Sequence, residues 1–293
     1  MRNRIVSGLL VFLVVIAGLV GSSAAGSPEQ LVMAVTPSNK PTELFKAGEA
    51  FAAELGKKLG ARIKVYMPTD YLGVVEALRN QTADIAFVHP AGYVFASREA
   101  KAQIVAVDVW HGKTSYTSRF FVRKEAGIKS LEDLRGKTIA FVDPGSTSGY
   151  VYPMVMLIKK GLVKDRDPKT FFKDAVFAGT HEAALLALLN GSVDAVASFD
   201  LAPQQYLKDQ ERLERLTYIA ETEPIPEAGV IVRAGLNPAM VQKLLDALMA
   251  FNAPEYRPIL KDFYEIDGFE AARDSDYDPV REAIDLLGWR PKR

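Results

Sequence analysis

The sequence predicts an α/β protein built as two similar lobes with a ligand cleft between them, and three observations carry that prediction. Short β-branched runs alternate with amphipathic helical stretches along the chain, which is the α/β pattern. The same order of elements recurs about 110 residues later. The composition is that of a folded chain: 293 residues, 48% apolar, 25% charged.

The first half of the pattern opens with Leu31–Val35, a buried strand. Residues 42–59 then place Leu44, Phe45, Gly48, Phe51, Ala52, Leu55 and Leu59 at helical spacing, with Gly60 as the stop. Ile63 and Val65 alternate with polar neighbours in a second strand. Tyr71–Arg79 is a short helix with Val74, Val75 and Leu78 on one face, and Asp84–Val88 is again a strand.

In the second half, Thr138–Val142 is a strand and Gly149–Lys160 a helix with Val151, Met154, Val155 and Ile158 inward. Ala175–Phe177, Glu182–Leu189 and Val193–Ser198 follow as strand, helix and strand. The segment from Ala77 to Ala86 corresponds to that from Ala187 to Val196, and at the same offset Tyr71 falls on His181. Asp84 and Asp194 open matching strands and read as local turn formers.

The amino terminus reads differently. Arg2 and Arg4 precede an apolar run, Ile5–Val20, and Ser22-Ser23-Ala24-Ala25 supplies small residues for cleavage after Ala25. That is a secretory signal peptide over residues 1–25. An uncleaved anchor is the alternative, because the run approaches the ~20 residues that span a bilayer. Cleavage leaves the mature chain two positive charges short of balance, since the whole chain has 36 Lys and Arg against 36 Asp and Glu. That balance gives no footprint for nucleic acid. With no Cys, disulfides, thiolate metal sites and cysteine nucleophiles are out.

Ligands of α/β sheets collect at the carboxyl ends of the strands. The loop Asp143-Pro144-Gly145-Ser146-Thr147-Ser148-Gly149 follows a strand and opens a helix. Its three hydroxyls and free N–H groups suit an oxyanion, favoured by the unpaired donors and the helix dipole; plain capping needs only one of them. His181 starts a helix in a cleft loop, where ligand contact and capping are both open. His89 and His111 read as structural or surface. Asp200 ends a strand of the second lobe, and its carboxylate suits a protonated oxygen on a ligand.

No catalytic set emerges. A nucleophile elbow would need Ser at Thr147. The Gly56-Lys57 and Gly136-Lys137 pairs lie outside a P-loop frame, and the three His lack zinc spacing. No cofactor and no metal are implied.

On these residues the chain resembles the substrate-binding proteins of phosphonate, phosphite and phosphate ABC transporters. The resemblance rests on Asp70-Tyr71, on the Asp143–Gly149 loop, on His181-Glu182 with Val193-Asp194 downstream, and on the stretch from Asp274 to Arg281. It implies the type II periplasmic-binding-protein fold, with two lobes joined by a two-strand hinge. It implies crossings near Phe121–Arg123 and Glu223–Glu227, so that lobe one is 26–120 plus 225–293 and lobe two is 121–224. It implies a periplasmic monomer that captures a small phosphorus oxyanion and delivers it to an ABC permease. A sensor presenting the ligand to a membrane receptor kinase is the alternative.

The implied ligand contacts are Tyr71, Ser146, Thr147, Ser148 and His181, then Asp200, with Tyr93 as the first-lobe tyrosine. Two departures stand out. The acidic position after Val193-Asp194 is shifted by about one residue, and the first-lobe loop reads Val88-His89-Pro90. A protonated His181 would donate from both ring nitrogens. N-terminal sequencing of exported protein is expected to begin near Gly26; a chain that keeps Met1 and sediments with membranes overturns the cleaved leader.

Overall fold

The computed structural model describes residues 30–38 and 40–288; the expected leader lies outside them. The chain starts with β1 (Gln30–Val35), α1 (Pro41–Leu59), β2 (Arg62–Tyr66), α2 (Gly73–Arg79), β3 (Ile85–Val88), α3 (Pro90–Ala100) and β4 (Gln103–Val109). β5 (Ser115–Tyr116) leads into β6 (Ser118–Arg123), β7 (Thr138–Phe141), α4 (Tyr152–Lys159), β8 (Asp174–Phe177), α5 (His181–Leu189) and β9 (Ala195–Phe199). α6 (Ala202–Tyr206), α7 (Gln210–Glu214), β10 (Leu216–Glu221) and β11 (Ile225–Pro226) bring the chain back. β12 (Gly229–Val232), α8 (Pro238–Ala250), α9 (Arg257–Asp262), β13 (Gly268–Ala271) and α10 (Asp278–Leu287) complete it.

Two mixed sheets result, ordered β13-β4-β12-β3-β1-β2 and β10-β6-β9-β7-β8. The repeat in the sequence is a repeat in topology. β1 lies parallel between β2 and β3, as β7 lies between β8 and β9. The antiparallel neighbours, β12 on β3 and β6 on β9, also correspond. Asp84 accepts the Val32 N–H at 2.9 Å, and Asp194 accepts the Thr138 N–H at 2.8 Å. These carboxylates are structural, but they tie neighbouring strands together instead of closing local turns.

The crossings between the sheets pair as a two-strand ribbon, Ile225 opposite Tyr116 and Pro226 opposite Ser115. The second crossing falls inside the expected Glu223–Glu227 stretch. The first lies earlier than expected, because Phe121–Arg123 sits within β6, where Phe121 pairs with Val196 and Arg123 with Leu216. Apolar alternation shows a strand there; it does not show which sheet the strand joins.

The helix expected over Gly149–Lys160 starts with a wide turn, Thr147–Val151, before α4. Pro153 has no N–H for the Gly149 carbonyl. That carbonyl instead accepts from Val142 N–H at 3.1 Å, pulling the turn against the end of β7. A Cβ at Gly149 would lie 2.5 Å from Val142 Cβ, so the approach requires glycine. Wide turns of this kind recur at functional sites.

The first lobe's core centres on Phe51, stacked on Phe263 at 5.0 Å and edge-on to Phe87 at 5.4 Å. Phe51→Ala is expected to cost about 3–5 kcal/mol of unfolding free energy. Because Phe51 does not line the cavity described below, anion affinity should stay unchanged; chemical denaturation and calorimetry check the two halves of this statement.

Candidate functional site

Carboxyl-end loops from both sheets line a cavity of about 90 Å³. A water needs roughly 10–15 Å³ on this measure, so the cavity suits a small ligand. The first lobe contributes Thr36, Ser38, His89, Asp108 and Trp110; the second contributes Ser148, His181, Phe199 and Tyr206. Tyr116 and Glu227 enter from the two crossings.

The loop that opens α4 explains why the second lobe reaches this cavity. Ser146 Oγ accepts the Gly149 N–H at 3.0 Å, so it is the cap of the wide turn. Thr147 Oγ1 accepts the Ala91 N–H at 2.9 Å, bonding the second lobe to the first turn of α3. Ser148 is the hydroxyl of the three that lines the cavity, and its carbonyl accepts from Ser118 Oγ at 2.6 Å. The three serve separate tasks.

His181 lines the cavity with Nδ1 held 2.6 Å from Ser198 Oγ. In the tautomer where that hydroxyl donates to Nδ1, the neutral ring carries its proton on Nε2, as a donor for the cavity. Burial, with His89 nearby, lowers His181 to about 3, and burial lowers His89 to about 4. Without ligand the imidazole is thus uncharged near neutral pH and offers one N–H.

Tyr71 is buried, but packs with Val142 and Leu185 of the second lobe and stacks on His89 at 5.1 Å. It is not among the lining residues. Tyr93 lies away from the cavity as well. Its hydroxyl donates to Asp274 and its ring meets Tyr277 edge-on at 4.8 Å, while burial and Asp274 push it up to about 12. The Asp274–Arg281 stretch thus fixes α10 against α3. Asp200 is half-buried, accepts the Leu201 N–H at 3.1 Å and is raised by burial; it too lies outside the lining.

Among the lining residues that the sequence reading did not assign to the ligand are His89, Asp108, Tyr116 and Glu227. Asp108 Oδ1 and Glu227 Oε1 are buried without hydrogen-bond partners among the described residues. Burial raises both carboxyls well above their usual range, and Asp108 raises Glu227 further. Tyr116 meets the Ser148 and Thr147 hydroxyls, while burial and Glu227 raise its own hydroxyl. Among the described residues, no Lys or Arg lines the cavity. The cavity's hydroxyl and imidazole donors are neutral, and burial disfavours the charged form of both carboxyls.

A family model described as ABC transporter, phosphonate, periplasmic substrate-binding protein matches residues 33–277. The chain belongs to this family. It is a solute-binding protein of phosphonate, phosphite and phosphate ABC import, and not an enzyme. It is 31% identical to the phosphate-import protein PhnD of Mycolicibacterium smegmatis, over 91% of this chain and 88% of that one. It is 30% identical to the phosphonates-binding periplasmic protein of Escherichia coli, over 79% of this chain and 69% of that one. Among solved structures, a binding protein component of an ABC phosphonate transporter from Pseudomonas aeruginosa superposes with TM-score 0.80 at 25% identity. That match covers 89% of this chain and 87% of the other.

For this family member the hydroxyls of the loop separate cleanly. Ser148→Ala removes a donor from a closed site and should weaken anion binding by about ten- to a hundred-fold. Ser146→Ala removes a cap and should cost about 1 kcal/mol of stability, with affinity within about twofold of the parent. Calorimetric titration with inorganic phosphate and methylphosphonate, together with thermal melting of both variants, checks the pair.

Proposed function

We propose that this protein, exported to the periplasm, captures a small phosphorus oxyanion between its lobes and delivers it to an ABC permease. The observation that supports this reading most is the convergence of Ser148, His181 and Tyr116 on one small cavity at the wide turn before α4. Each offers a neutral donor, and the start of the helical segment adds its unpaired N–H groups and dipole. The relatives' names point the same way: one imports phosphate and another binds phosphonates.

The carboxyls of Asp108 and Glu227 refine the reading. An oxyanion that still bears an O–H can donate to a carboxylate, and a protonated carboxyl can donate to the anion. In the second case the acids must hold their protons, and binding takes up protons wherever the free acids are ionised. Since both acids are raised by burial, they keep protons as pH falls and lose them as it rises. Where the carboxyls are the donors, anion affinity is stronger on the acid side and falls as pH rises through their raised range.

The experiment is a calorimetric panel of phosphate, phosphite and methylphosphonate at several pH values, with small-angle scattering at saturation. The expected result is binding of at least one anion, weaker at higher pH, with a smaller radius of gyration when bound. No heat from any of the three overturns the proposed ligand class.

A further inference from the structure

The repeat places two pairs of rings at equivalent positions. In the first lobe Tyr71, just before α2, stacks on His89 at the end of β3, 5.1 Å between centroids. The same offset of 110 carries Tyr71 to His181, at the start of α5, and His89 to Phe199, at the end of β9. Those two also pack together, at 4.9 Å. Each lobe thus holds one imidazole and one carbocyclic ring, with the two exchanged: the imidazole ends the strand in the first lobe and starts the helix in the second.

Both imidazoles line the cavity. His181 has its Nδ1 anchored by Ser198. His89 Nε2 is buried and has no hydrogen-bond partner among the described residues. A buried polar atom without a partner carries its full desolvation penalty, so its persistence beside a ligand cavity calls for a reason. Its neighbour Tyr71 Oη is unpartnered in the same way. The backbone adds a further point. Pro90 follows His89 and opens α3, and the His89 carbonyl accepts from Tyr93 N–H at 3.0 Å. His89 is the N-cap residue of α3, yet its side chain makes no capping bond. The ring is left free for another task.

We propose that His89 is a ligand-contacting residue, the first lobe's counterpart of His181, so that the bound oxyanion is met by one imidazole from each lobe. This rests on the oxyanion reading above and adds a residue to it. A two-sided arrangement gives the first lobe a neutral donor of its own, without the charge that Lys or Arg would bring. It also makes ligand recognition depend on both lobes at once, since neither imidazole alone surrounds the anion.

The test uses the full mature protein, with inorganic phosphate and methylphosphonate as probes. His89→Leu removes the ring nitrogens, and His89→Gln keeps an amide N–H. His89→Leu is expected to weaken binding by about ten- to a hundred-fold, with His89→Gln recovering much of that loss. Nitrogen-15 spectra of the parent imidazoles supply a readout that needs no variant: His89 and His181 resonances should both shift on saturation with the bound probe. Parent-like affinity in His89→Leu, or a His89 signal unmoved while His181 shifts, overturns the proposal and leaves the oxyanion reading intact. A parent that binds neither probe overturns both together. Should His89→Leu fail to fold, the parent spectra alone decide.

Discussion

A Cβ placed on Gly145 would lie 3.0 Å from Tyr71 Cβ and 3.2 Å from Leu72 Cδ2. Those two belong to the first lobe, while Gly145 belongs to the loop that ends β7, so a bare backbone is what lets the second lobe's loop meet the first. Everything around the cavity follows from that approach. Asp143 accepts N–H groups from Gly145 and from Tyr71, joining the lobes at the loop's start. Thr147 joins them again through Ala91. Between those two bonds the loop is held at both ends, and Ser148, next along, is delivered to the cavity wall. A side chain at Gly145 would wedge this contact open before any ligand group was touched.

The electrostatics of the cavity are unusual for an anion site. Its donors are a serine, a tyrosine and neutral imidazoles, and its acids are two buried carboxyls. A lysine or arginine would bind an anion more strongly, but burying its charge in the cavity wall would carry a desolvation cost. Neutral donors avoid that cost. They also make the balance of protons, more than the count of charges, decide what the cavity accepts. Burial keeps the imidazoles uncharged and pushes the carboxyls toward protonation, so both kinds of group favour a cavity of low net charge.

Much of this was legible in the sequence, and the parts that were not have physical reasons. The two lobes showed because each strand–helix–strand unit needs its own apolar periodicity, and the words around Asp84 and Asp194 repeat. The loop at 143–149 showed because hydroxyls crowd a strand-to-helix junction. Tyr116 and Glu227 did not, because they sit on a ribbon of two residues per strand, too short for any periodic signal. Asp108 was hidden inside β4, a strand the sequence pattern did not single out, and it is buried in the folded protein. Tyr93 was the converse case. Its distance from β3 along the chain looked close, but a helical turn carries its ring around to α10. His89 was set aside as structural because a lone histidine after a strand has no pattern of its own; its meaning comes from the ring stacked on it.

Tyr116 has two roles that are separate in most hinged proteins. Its backbone pairs with Ile225 in the ribbon between the lobes, and its side chain forms part of the cavity wall. The pivot and the reading surface are therefore one residue. Any bend of the ribbon displaces a group of the cavity wall. The joint between the lobes and part of the cavity wall thus share a single peptide unit.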